Sequence, residues 1–222
     1  MKIQIYTMQT VDEALDVIAQ GADHVGITPS NIGLPGEVDL DSARGIVEAV
    51  GDSAVVVALT VESNLDAVVA MVQTVRPGIL HLSGLENSIL PEGIHALRLR
   101  LPNLPIMQAV SVSGPGSLDT ALAYEEVVDY LILDTQSPDI AGIGASGETH
   151  DWDVSRKIVE QAKIPVILAG GLSPENVAEA IRTVQPWGVD SLTHTNKYLP
   201  DGSFRKDLER VRQFVSAAKS GS

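Results

Sequence analysis

Asp134 closes the apolar run Leu131-Ile132-Leu133, and a glycine-rich segment follows it, Gly144-Ala145-Ser146-Gly147-Glu148-Thr149-His150-Asp151-Trp152. A carboxyl group at the carboxyl end of a buried strand is held partly out of water. That raises its pKa and fits it for general acid or base work. The plainer alternative is a carboxylate that caps a helix or binds loop amides. A second junction of the same kind is Val166-Ile167-Leu168-Ala169, which runs into Gly170-Gly171-Leu172 and then Ser173-Pro174-Glu175. Paired glycines leave the backbone bare beside a helix start, which suits a phosphate, although a tight turn selects the same residues. Together the two junctions imply an enzyme acting on a small phosphorylated compound.

Other residues could join them. His194, in Leu192-Thr193-His194-Thr195-Asn196, is the best placed of the five histidines to move a proton, with Thr193 beside it to bind an anion. A loop histidine bonded to a carbonyl is the structural alternative. His81 and Gln108 lie on apolar runs and face either the mouth or the core, according to strand parity. His24 begins a strand, at the end away from the chemistry, and His95 falls on a helix in solvent. His150 shares its loop with Glu148 and Asp151, but the spacing matches no familiar ligand set, so no metal is expected. The chain has no cysteine, which excludes disulfides, thiolate metal sites and a cysteine nucleophile. No cofactor is expected either, because proton transfer beside a carbonyl needs only two tuned groups on opposite faces of the substrate.

The elements that must position these groups alternate from end to end. Strands are predicted near 2–6, 24–28, 54–60, 79–83, 106–110, 130–134, 166–169 and 189–192. Between them Leu40, Ala43, Ile46, Val47 and Val50 form a helical stripe, as do Leu65, Val68, Val69, Val72 and Val75. Ser173 before Pro174 reads as a helix start. The fourth helix, around 93–101, has the weakest pattern, and Leu208, Val211, Phe214 and Val215 mark the last. Hydrophobic content is 44% with only 4% aromatic, the palette of parallel strands buried on both faces. Eight strand–helix units without a break in composition predict an α/β fold, a (β/α)₈ TIM barrel forming one domain over 1–222, rather than an open sheet. Chemistry in such a barrel sits at strand ends and in the loops that follow them.

A net charge of −14 argues against nucleic acid as a partner, since no basic face can neutralise a phosphate backbone. It does not exclude a small anion held by local amides and a helix dipole. No export signal or membrane-length apolar run is visible, so a cytoplasmic protein without membrane contact is expected. The last four residues, Lys219-Ser220-Gly221-Ser222, are expected to fray.

The chain resembles the phosphoribosylanthranilate isomerase family of tryptophan synthesis. The likeness is carried by residues 144–152, by Ile164-Pro165-Val166-Ile167-Leu168-Ala169-Gly170-Gly171-Leu172-Ser173-Pro174-Glu175-Asn176-Val177 and by Pro186-Trp187-Gly188-Val189-Asp190. The resemblance implies a (β/α)₈ barrel, a homodimer and an Amadori rearrangement of a sugar phosphate from an aldose to a ketose form. It also implies an aspartic acid at the end of the sixth strand, which Asp134 matches. Three features depart from the family pattern. Tyr6 stands where the family has a cysteine base. The segment 28–38 contains no lysine or arginine to grip an anthranilate carboxylate. The eighth strand ends in Thr193-His194-Thr195 in place of a glycine-containing phosphate motif, and the fourth in His81-Leu82-Ser83-Gly84.

These residues lead to the expectation of a sugar-phosphate isomerase working on a substrate other than phosphoribosylanthranilate. Asp134 is the expected acid, His194 or Tyr6 the base, and Gly147, Gly170, Gly171 and Thr193 the phosphate site, with His81 and Gln108 as further substrate contacts. The rivals are the family's own reaction and a non-catalytic barrel that binds a phosphorylated ligand. An aldolase is disfavoured because no predicted strand ends in a lysine for a Schiff base.

Overall fold

The computed structural model describes residues 1–136, 142–144, 147 and 149–221. Its strands are β1 (Lys2–Ile5), β2 (His24–Ile27), β3 (Val55–Thr60), β4 (Ile79–Leu82), β5 (Ile106–Ser111), β6 (Tyr130–Asp134), β7 (Val166–Leu168) and β8 (Gly188–Ser191). Each pairs in parallel with the next, and β8 pairs back onto β1, closing the barrel and ruling out the open sheet. Every strand lies within one residue of its predicted ends. The helices are α1 (Val11–Ala19), α2 (Leu40–Val50), α3 (Leu65–Val75), α4 (Pro91–Arg100), α5 (Ser117–Glu125), α6 (Trp152–Gln161), α7 (Val177–Val184) and α8 (Leu208–Ser220). Since α8 runs through Ser220, the tail expected to fray is helical almost to its end. No helix among the described residues is long and apolar enough to cross a membrane.

Burial on both faces explains the β-branched runs. Val25, Ile27, Val56, Leu80, Leu82, Leu131, Leu133, Val166 and Leu168 point outward and pack under the helices. Val57, Ile79, Met107, Ala109, Ile132 and Ile167 fill the lumen. Because side chains alternate along a strand, the lumen set fixes what lies above it at the carboxyl-end mouth. Ile132 inward places Asp134 inward, and Ile79 inward places His81 inward. Met107 and Ala109 inward turn Gln108 outward, toward the helices.

One element has no counterpart in the sequence expectations. An antiparallel hairpin, β9 (Asn196–Tyr198) and β10 (Phe204–Lys206), is inserted between β8 and α8. It carries Lys206, 5% exposed, to the seam where β1 meets β8. Its Nζ donates to the Tyr6 carbonyl and, at 2.5 Å, to Asn196 Oδ1, and lies 3.3 Å from the Leu192 carbonyl. Burial pushes the amine down to about 7, partly opposed by Glu13 and Asp190. With its donors committed to these oxygens, Lys206 is a strap rather than a Schiff-base lysine. Replacing it by methionine would take the donor from the Tyr6 carbonyl and from Asn196 Oδ1, while the Leu192 carbonyl keeps Thr195. Lys206→Met is expected to lower unfolding stability by about 3 kcal/mol in urea titration, whereas a change below about 0.5 kcal/mol would show that the strap is dispensable.

Candidate active site

Asp134 ends β6 with Oδ1 accepting from its neighbour's Thr135 N–H at 2.7 Å. Burial pushes its carboxyl up to about 7, a little offset by that bond. Two strands away, Asp190 on β8 points into the same mouth, and its Oδ1 has no partner among the described residues. It is pushed up to about 8, first by burial and then by the charge on Asp134, while Gln4 and Lys206 pull it back. Both acids line a cleft of about 570 Å³ together with Tyr6, Leu34, His81 and Ile143. Both also line an adjoining cavity of about 270 Å³ with Gly147, Gly170, Gly171, Thr193 and His194. Two carboxyls in one water-poor mouth oppose each other's charge, so they titrate as a pair.

Tyr6 follows β1, across the seam from β8, and is 2% exposed. Its hydroxyl oxygen is 3.0 Å from His81 Nδ1. Its ring occupies the space over Gly26, where any Cβ would collide with it. Burial, reinforced by Asp190, pushes the hydroxyl well above its usual 10, so it stays protonated. That disqualifies Tyr6 as the base. Burial also pushes His81 down to about 3, which leaves a neutral ring in the mouth with Nε2 unpartnered among the described residues. Unsatisfied polar atoms such as Asp190 Oδ1 and His81 Nε2, on residues lining one cleft, are what a polar ligand would satisfy.

The smaller cavity has the character of an anion cradle. Gly170 and Gly171 adopt successive left-handed conformations, φ 76° and 61°, which side chains resist. Their N–H groups and that of Leu172 make no hydrogen bond among the described residues. The chain then turns into α7, with Asn176 Oδ1 accepting from the Ser173 N–H at 2.8 Å and Ser173 Oγ from the Glu175 N–H at 3.2 Å. Thr193 lies against Gly147. All four residues predicted to hold phosphate therefore meet in one place.

Other expectations change. His194 borders this cavity but not the larger cleft, and its Nε2 donates to the Gly147 carbonyl at 3.0 Å. It is a latch between the loops after β6 and β8, not a base facing the mouth. Gln108 is no substrate contact, because it faces the helix layer and donates to the Ala109 carbonyl. His150 is internal, with Nδ1 3.2 Å from Thr135 Oγ1 and Nε2 2.7 Å from Ser155 Oγ. Ala145, Ser146 and Glu148 of that loop lie outside the described residues. The loop after β2 folds around a carboxylate. Glu37 accepts from Ser30 Oγ at 2.7 Å and from the N–H groups of Ile32, Gly33 and Leu34 at 2.9–3.0 Å, bonds that hold it down to about 2.

Comparison with known proteins decides the family. The model described as N-(5'phosphoribosyl)anthranilate (PRA) isomerase matches residues 3–217. The chain belongs to the PRA isomerase family. An N-(5'-phosphoribosyl)anthranilate isomerase of Methanocella arvoryzae is 34% identical over 218 residues, 98% of each chain. One from Haloferax volcanii is 35% identical over 206 residues, covering 92% of this chain and 86% of its own. Among solved structures, the phosphoribosyl anthranilate isomerase of Thermus thermophilus superposes with a TM-score of 0.81 at 25% identity, over 99% of both chains. That of Pyrococcus furiosus gives 0.79 at 27%, again over 99% of both.

Within the PRA isomerase frame, the residue that sequence reasoning passed over is Asp190. The signal was present, since Val189 is apolar and outward and the next position must face the lumen. An acid inside the short run Val189-Asp190-Ser191-Leu192 reads more readily as a strand margin than as a buried group. Its burial has a pH signature. The folded-state pKa is raised from about 3.9, so its contribution to stability is full below about pH 4 and is lost as pH rises through about 8. Asp190→Asn removes that loss. Its unfolding free energy is expected to exceed that of the parent at pH 8.5 by on the order of a few kcal/mol, seen as a higher Tm, and the margin should narrow at pH 5. Equal margins at both pH values would show that Asp190 is not a buried titrating group.

Proposed function

We propose that the protein isomerises N-(5'-phosphoribosyl)anthranilate, the family's own reaction in tryptophan synthesis. This replaces the first expectation, a different sugar phosphate, because the likeness to PRA isomerases extends over the whole chain. The observation that carries the reading is Asp134, a carboxyl that burial raises to about 7, at the junction of an anion cradle and an apolar cleft.

The chemistry follows from the layout. The phosphate docks on the Gly170-Gly171-Leu172 backbone with Thr193, and its binding energy holds the ribose in register. The aromatic amine occupies the larger cleft, among Leu34, Leu59 and Ile143. Protonated Asp134 gives its proton to the ring oxygen. The bond from that oxygen to C1 breaks as the amine nitrogen's lone pair forms a C1=N iminium. Loss of the C2 proton then yields an enolamine, which tautomerises to the ketose.

One observation favours a second reading. The cleft is lined by no lysine or arginine among the described residues, while Asp134 and Asp190 both border it. An amine without a carboxylate would meet less repulsion there. Fluorescence decay of phosphoribosylanthranilate with purified protein tests both. Turnover is expected, with Asp134→Asn lowering kcat by about 10²- to 10⁴-fold while thermal shift with reduced 1-(o-carboxyphenylamino)-1-deoxyribulose 5-phosphate is retained. Turnover confined to phosphoribosylamines lacking the carboxylate would select the second reading. Ligand binding without any turnover would leave a non-catalytic phosphate-binding barrel. The homodimer implied by the resemblance is checked by sedimentation velocity, where a species of one-chain mass would overturn it.

A further inference from the structure

The phosphate cradle and the amine cleft are separate cavities, and a substrate that joins a phosphate to an aromatic amine through a ribose must cross from one to the other. Among the described residues, those bordering both are Asp134, Asp190 and Leu192. Leu192 has no proton to give or take. The reacting carbons of the sugar, C1 and C2, lie at that crossing. Among the described residues, the groups able to move protons there are thus two carboxyls, on β6 and β8, with β7 between them.

We propose that Asp190 is the base of this reaction and that Asp134 is its acid. The proposal rests on the isomerase reading above. Three placements support it. Tyr6, at the end of β1, has its ring over Gly26 and its hydroxyl against His81, and it stays protonated. His194 faces the cradle alone, with Nε2 committed to Gly147. Asp190 is 6% exposed, aimed into the mouth, and carries an oxygen with no partner among the described residues.

The proton ledger closes. Asp134 gives its proton to the ring oxygen as the C1–O bond breaks and C1=N forms. Asp190, ionised once the pair's proton sits on Asp134 against the ring oxygen, takes the proton from C2, and the C–H electrons form C1=C2 while the iminium electrons return to nitrogen. Asp190 then delivers that proton to C1. The enol hydroxyl loses its proton to water as the ketone forms, and Asp134 regains one from water. Both carboxyls end as they began, and no oxidant or reductant is required.

The test compares kcat and its pH profile on phosphoribosylanthranilate for the parent, Asp190→Asn, Asp190→Ala and Tyr6→Phe. Binding of the reduced product analogue reports the integrity of each variant. Asp190→Asn is expected to lose at least 100-fold in kcat and the acid limb of the profile, with binding kept. Added formate should restore part of the activity of Asp190→Ala, which a merely structural role would not allow. Tyr6→Phe, which keeps the ring in the cleft and removes only the hydroxyl, should lose far less in kcat than Asp190→Asn. A parent that turns over while Asp190→Asn keeps its rate overturns the role of Asp190 and leaves the isomerase reading standing. So does a Tyr6→Phe loss as large as that of Asp190→Asn. An inactive parent removes both.

Discussion

Putting Asp134 and Asp190 into one apolar mouth costs the fold stability whenever both are ionised, and much of the surrounding structure can be understood as tempering that cost. Burial raises each acid, and the charge on Asp134 raises Asp190 further. The Thr135 amide steadies Asp134, while Gln4 and the ammonium of Lys206 moderate Asp190. A carboxyl raised to about 7 results from where the strand ends rather than from any special residue chemistry.

The seam between β1 and β8 is where this arrangement is most exposed to failure. Asp190 lies on one side of it and Tyr6 on the other, and Lys206 reaches in from β10 to fasten the carbonyls of both edges. A lysine with its pKa pulled to about 7 by burial is itself a cost. The hairpin exists to bring it there, so β9 and β10, although outside the barrel, belong to the mechanics of the mouth.

Much of the fold was legible because it depends on local pattern. Runs such as Val166-Ile167-Leu168 and stripes such as Leu65, Val68, Val69, Val72 and Val75 each report their own element. Asp134 was legible because it terminates such a run. What escaped was set by partners remote in the chain. The facing of His81 and Gln108 depends on barrel parity, which single strands do not reveal, and it sent one inward and the other outward. Lys206 contacts Tyr6, two hundred residues away, so no window around it hints at burial. The hairpin strands are three residues each, too short to show alternation, although Asp201-Gly202 marks their turn. His194 carried the right residue type in the right loop, yet a carbonyl from the loop after β6 claimed its nitrogen.

The tyrosine over Gly26 has an evolutionary consequence. Positions 6 and 26 share one volume, so neither can drift alone. A small residue at 6 opposite glycine would leave a ring-sized void beside the acids, and a larger residue at 26 opposite tyrosine would clash. Exchanging position 6 alone for a small side chain would therefore open the mouth toward β2 unless position 26 grew to fill the space.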